Sequence, residues 1–140
     1  MGTTKEKLIE ELNKDIEWEY AATIQYIQHA AVITGAEFES IQKELLVHAQ
    51  EEMNHAITLS EQIDYLGGTP TVNVEKIEIS KKSVTMLEQD LAGEDNAIRR
   101  YKERIRQAES LGEFGLRRAL EDILIQEEEH ERDLLFSLGR

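Results

Sequence analysis

Cysteine is absent from the chain, which removes a disulfide framework, a thiolate zinc site, an iron–sulfur cluster and a thiol nucleophile. Proline occurs once, at Pro70, and the glycines cluster at a few corners, so long stretches carry no helix breaker. Positive charge is scarce: 29 acidic residues face 16 basic ones, a net charge of −13. Phosphate recognition rests on clustered Lys and Arg, so nucleic acid is not an expected partner. The same field concentrates small cations at the surface. No apolar run approaches the ~20 residues that span a bilayer, so no membrane partner is expected. The opening Met-Gly-Thr-Thr-Lys-Glu has no signal-peptide core, and a cytoplasmic location follows as the expectation. What remains, 140 residues with 40% hydrophobic and 32% charged content, suits one folded domain over residues 1–140.

The segments between the glycine corners are rich in Leu, Ile, Ala, Glu and Lys, which favour helix. Their spacing predicts helices over residues 4–32, 37–66, 82–110 and 113–138. Three starts carry a Ser/Thr-x-x-Glu capping box: Thr3 with Glu6, Thr34 with Glu37, and Ser110 with Glu113. The first and second helices, and the third and fourth, are joined by a few residues, so each pair is expected to be antiparallel. Between the second and third lie Gly67-Gly68-Thr69-Pro70 and an apolar–polar alternation at Val72, Val74, Ile77 and Ile79, expected to be extended and strand-like. About 14 extended residues reach roughly 45 Å, enough to run back along a helix of roughly 42 Å. The expected architecture is all-α: a four-helix bundle with one long crossover, the ferritin-like arrangement.

A bundle helix shows an inward apolar stripe at three- and four-residue steps. In the first helix it reads Leu8, Leu12, Ile16, Glu19, Thr23, Tyr26, Ala30, and in the second Ile41, Leu45, His48, Glu52, His55, Leu59. The third gives Val84, Leu87, Leu91, Glu94, Ile98, Tyr101, Ile105, Ala108, and the fourth Leu116, Leu120, Ile123, Glu127, His130, Leu134. Each stripe carries one glutamate near its middle, and two add a histidine one turn later. No Lys or Arg falls on these stripes. Four buried carboxylates require compensation, and a bound multivalent cation is the simplest remedy.

A repeat reinforces this. Glu19, Tyr26, Glu52 and His55 recur as Glu94, Tyr101, Glu127 and His130, each displaced by 75 residues. Two hairpins related by a pseudo-twofold axis would set two equivalent half-sites face to face. Each supplies a lone Glu and a Glu-x-x-His pair, whose members share a helix face. Carboxylate and imidazole ligands suit iron or manganese, as a di-iron, Fe/Mn or Mn centre.

At these residues the sequence resembles the bacterioferritins and, more broadly, the ferritin-like di-iron proteins, with rubrerythrins as near relatives. The resemblance is carried by Glu19-Tyr20-Ala21-Ala22-Thr23-Ile24-Gln25-Tyr26, Glu52-Met53-Asn54-His55-Ala56, Asp90-Leu91-Ala92-Gly93-Glu94 and Glu127-Glu128-Glu129-His130. It implies that Glu19 and His55 serve one iron, Glu94 and His130 the other, with Glu52 and Glu127 bridging. It also implies a ferroxidase that takes ferrous iron and oxygen or hydrogen peroxide, in iron homeostasis and storage. Two alternatives stand beside it: a rubrerythrin-like peroxide reductase, to which tyrosines at both Tyr26 and Tyr101 point, and a redox-silent bundle whose metal is structural.

Tyr26 and Tyr101 have two readings, as hydrogen-bond or one-electron donors to the centre, or as core aromatics. His48, one turn before Glu52, reads as core packing or as an auxiliary iron ligand, and His29 reads as a surface residue. A second apolar track on the first helix (Tyr20, Ile24, Ile27, Ala31) and the second (Leu46, Met53, Ile57, interrupted by Gln50) suggests a homodimer through those two helices. In bacterioferritins a methionine at the position of Met53 binds haem b between two subunits. The resemblance therefore implies a possible haem site at Met53, against the reading that Met53 fills the interface.

Overall fold

A computed structural model describes residues 2–140; Met1, part of the N-terminal segment read above, lies outside them. The chain forms α1 (Lys5–Val32), a 3-10 turn (Ala36–Phe38), α2 (Glu39–Tyr65), α3 (Ser83–Ser110) and α4 (Phe114–Ser137). Among the described residues there are four α-helices, with boundaries close to those the sequence predicts. The caps differ. Thr4, not Thr3, starts α1, its hydroxyl accepting from Lys7 N at 3.1 Å. The Thr34–Glu37 box does not cap α2, because Gly35 at φ +116° turns the chain into the 3-10 turn first. Ser110 belongs to the end of α3 instead: its hydroxyl donates to Gln107 O, and Gly112 at φ +71° makes the corner.

Cross-helix partners give the directions. Low numbers on α2 meet high numbers on α4, as in His48 with Asp133 and His55 with Gln126. The crossover climbs α1 in step with it. Asn13 bonds the backbone of Thr69 and Thr71, Glu17 O accepts from Glu75 N at 3.1 Å, and Gln25 Oε1 accepts from Glu78 N at 2.8 Å. It therefore returns the chain to the end where α2 began, and α3 runs parallel to α2. The crossover is extended, but no strand forms among the described residues. Val72, Val74 and Ile79 are exposed, so polar groups of α1 hold this segment rather than burial of its alternating apolar residues.

The apolar core falls into two clusters, one around Leu12, Leu59, Ile63 and Leu120, the other around Leu45, Phe38, Leu87 and Leu134. Val84, expected on the core stripe, is exposed near the start of α3. Two buried polar locks join α1 to α3. Asp15 pairs with Arg100 and Arg104, and Asp90 accepts from Gln25 Nε2 at 2.9 Å and faces His29 Nδ1 at 2.9 Å. His29 is thus wholly buried, not a surface residue; its Nε2 also reaches Glu78 O of the crossover at 3.1 Å. Arg100 and Arg104 are buried beside the inward stripe rather than on it.

Candidate metal centre

Glutamates one per helix and histidines at the Glu+3 positions of α2 and α4 project inward at the same level of the bundle. The four glutamates and two histidines of the repeat are all buried, none more than 3% exposed. His55 Nδ1 lies 3.2 Å from Glu19, 3.4 Å from Glu52 and 3.6 Å from Glu127. His130 Nδ1 lies 3.3 Å from each of Glu52, Glu94 and Glu127. Two overlapping groups result, Glu19–Glu52–His55–Glu127 and Glu52–Glu94–Glu127–His130, the ligand atoms of each within 4.8 Å of one another. Glu52 and Glu127 belong to both.

The cage fits cations on the evidence of its own unpaired atoms. Glu52 Oε1, Glu94 Oε1, both carboxylate oxygens of Glu127 and His130 Nδ1 are buried without a hydrogen-bond partner. Among the described residues no Lys or Arg forms an ion pair with any of the four carboxylates. Such groups are ordinarily paired, since an unpaired buried charge costs several kcal/mol. Without metal, protons carry the compensation. Burial, reinforced by the Glu52 charge, pushes Glu94 up to about 8 and raises Glu19 and, further, Glu127. Burial acts the same way on Glu52, but the flanking His130 and His55 outweigh it and hold Glu52 well below the usual carboxylate range. Burial opposes the charged form of His55, yet Glu19 and Glu52 bring it up to about 11.

Each tyrosine reaches across the pseudo-twofold axis. Tyr101 donates to Glu19 Oε1 at 2.6 Å and Tyr26 donates to Glu94, so each binds the lone glutamate of the opposite hairpin. Burial holds both phenols well above their ordinary values, so they act as neutral donors. The outer nitrogens of the histidines are also held, by residues the sequence reading passed over. His55 Nε2 donates to Gln126 Oε1 at 2.6 Å, His130 Nε2 lies 2.8 Å from Glu51 Oε1, and Gln126 Nε2 donates to Glu51 Oε2 at 3.0 Å. Acceptors at Nε2 place its hydrogen there and aim Nδ1 into the cage. The signal was present in the chain: residues 51 and 126 stand at the same 75-residue offset.

His48 is buried, stacks on His130 with ring centroids 4.0 Å apart, and sets Nε2 3.0 Å from Asp133. On the α1–α3 side a cavity of about 370 Å³ opens onto Glu19, Glu52 and Glu94, lined also by Trp18, Gln25 and Gly93. Met53 does not join the cage; it is exposed on α2, as are Ile24, Ile27, Leu46 and Ile57 on α1 and α2.

A four-helix bundle built around carboxylates and imidazoles defines the class of ferritin-like carboxylate proteins. The chain belongs to the ferritin family: the family's ferritin-like domain matches residues 9–139. It is 30% identical to a bacterioferritin of Brucella melitensis over 95% of this chain and 87% of that one. It is 32% identical to a nutrient stress-induced DNA-binding protein of a Nostoc species over 86% of this chain and 71% of that one. A crystal structure of ferritin-like, diiron-carboxylate proteins from Bacillus anthracis superposes with a TM-score of 0.92 at 33% identity, covering 99% of both chains.

Proposed function

We propose that the chain binds two iron ions in this cage and acts as a ferroxidase. Glu19 and His55 would hold one ion, Glu94 and His130 the other, with Glu52 and Glu127 shared. The observation that carries the reading is the set of buried, partnerless carboxylate oxygens between two imidazole Nδ1 atoms. A pair of ferrous ions held there would supply two electrons, enough with two protons to take dioxygen to hydrogen peroxide, or with two protons to take hydrogen peroxide to two waters. The protein contributes a fixed ligand set within a largely apolar core. Glu51 and Gln126 keep both Nδ1 atoms aimed inward, and Tyr26 and Tyr101 hold Glu94 and Glu19 in position. The cavity on the α1–α3 side gives an oxidant room beside the carboxylates. The relatives named bacterioferritin support a role in iron storage.

Glu52→Ala and Glu127→Ala each remove a carboxylate common to both halves. Stopped-flow formation of ferric absorbance should drop at least a hundredfold in either variant. A wild-type rate in both defeats the assignment. The paired tyrosine–glutamate bonds favour a second reading, a peroxide reductase, which requires turnover with hydrogen peroxide to exceed that with dioxygen.

The exposed apolar tracks of α1 and α2 support a homodimer through those helices, and a haem held by Met53 from each copy remains an extension of that interface. A monomeric solution mass would exclude the first, and absence of a Soret band from protein isolated with haem supplied would exclude the second. The DNA-binding role in the Nostoc relative's name is not carried over, because a net charge of −13 opposes phosphate binding.

A further inference from the structure

A second cluster of metal-binding side chains lies outside the cage, on the α2–α4 face. Glu44 and His48 stand four residues apart on α2, hence on one side of the helix, and Asp133 meets them from the antiparallel α4. Their ligand atoms all lie within 4.8 Å of one another. Asp133 is 43% exposed at its side chain and Glu44 half-buried, whereas His48 is fully buried. The burial makes His48 informative: its Nε2 sits 3.0 Å from Asp133 Oδ2, and its Nδ1 is enclosed with no hydrogen-bond partner at all. No Lys or Arg forms an ion pair with Glu44 or Asp133 among the described residues. One imidazole and two carboxylates, without sulfur, form a donor set for manganese, ferrous iron or a similar divalent ion.

His48 is also shared with the interior. It groups with Glu94 and His130 within the same 4.8 Å limit, and its ring lies nearly parallel to that of His130. Ligand atoms thus form an unbroken series from half-exposed carboxylates, through one buried imidazole, to the cage.

We propose that Glu44, His48 and Asp133 form a third divalent-cation site, from which ions pass between solvent and the dinuclear cage. The site stands on its own geometry; only the passage rests on the dinuclear reading.

Equilibrium titration of the metal-free full chain with Mn²⁺, counting free ion by EPR, tests the third site and, separately, the dinuclear reading on which the passage rests. Wild type should bind three ions per chain. Asp133→Asn and Glu44→Gln, changes at half-buried positions that preserve shape, should each bind two, the third weakened at least tenfold. Glu127→Gln should weaken the pair and leave the third ion bound. Two ions in wild type, unchanged by Asp133→Asn, overturn the third site, as do three ions indifferent to both surface changes. A single ion in wild type, lost in Asp133→Asn, upholds the third site and overturns the dinuclear reading. The circular dichroism of each variant should match wild type, so that lost binding is not lost folding.

Discussion

Both cage histidines turn Nδ1 inward and Nε2 outward, but onto chemically unlike acceptors: an amide oxygen for His55, a carboxylate for His130. A carboxylate draws the Nε2 hydrogen more strongly, making the opposite nitrogen the better electron donor. The two metal positions should therefore differ in affinity, the His130 side being tighter. Replacing Gln126 with Glu should narrow the gap between the first and second binding constants by about tenfold, the scale on which such outer partners act. Two unresolved, equal steps in the wild-type Mn²⁺ isotherm would show that the asymmetry has no effect.

Protonation at the same residues sets a pH dependence. Glu94 is held up to about 8 by burial and Glu52, against an ordinary value of 4.5. His55 is brought up to about 11 by Glu19 and Glu52 despite burial, against 6.5. Both folded values exceed the unfolded ones, so both groups favour the metal-free fold most fully at low pH. The Glu94 contribution fades between about pH 4.5 and 8 and the His55 contribution between about 6.5 and 11. Thermal melts of metal-free protein should fall steadily from about pH 6 to 9, and bound metal, which displaces these protons, should flatten the trend. A metal-free melting temperature that rises over that range contradicts the protonated cage. The glutamates and histidines were legible in the sequence because their period matches the helix and the offset repeats. The Glu51–Gln126 clamp was not, because both sit one residue off the inward stripe, where a polar side chain ordinarily reads as solvated.

At the scale of elements, the repeat extends to the contacts between α1 and α3. Asp15 and Asp90 share the 75-residue offset, as do Gln25 with Arg100 and His29 with Arg104, so the two locks are pseudo-symmetric in position but not in charge. Removing Asp15 leaves two buried guanidinium groups, with Glu11 still beside Arg104, whereas removing Asp90 leaves an amide and an imidazole. Asp15→Ala should then cost about 3–5 kcal/mol and Asp90→Ala about 1–3 kcal/mol in urea unfolding. Equal losses would mean that charge contributes nothing to the α1–α3 seam. Helix number, order and the single crossover followed from glycine placement and loop length, which act locally. The failed capping boxes and the buried His29 depend on what neighbouring elements offer: a glycine corner that accepts Ser110 into α3, an Asp90 that receives His29. No single helix's pattern contains that information.

Across the whole molecule the cage has two unlike approaches. The α2–α4 face presents acidic and imidazole groups suited to a cation, while the α1–α3 face opens through a cavity whose wall sets Trp18, Ala22, Ala97 and Gly93 among Lys76, Glu78 and Arg100, beside its carboxylate floor. A neutral oxidant has no need of charged ligands along its path and gains most from open, partly apolar space. Gly93 marks that space within α3, a position where glycine is unfavourable for the helix by roughly 0.5–1 kcal/mol relative to Ala. A Cβ built there meets no atom within 4 Å, so a side chain can begin at this position without displacing the backbone. Gly93→Leu should therefore stabilise the fold slightly and leave Mn²⁺ stoichiometry unchanged. Iron oxidation by dioxygen should slow several-fold, because the added side chain occupies volume beside Glu94 rather than altering a ligand. Oxidation at the wild-type rate in a folded, fully loaded Gly93→Leu protein would place the oxidant's path elsewhere, and a loss of bound metal would show that the cavity wall shapes the cage itself.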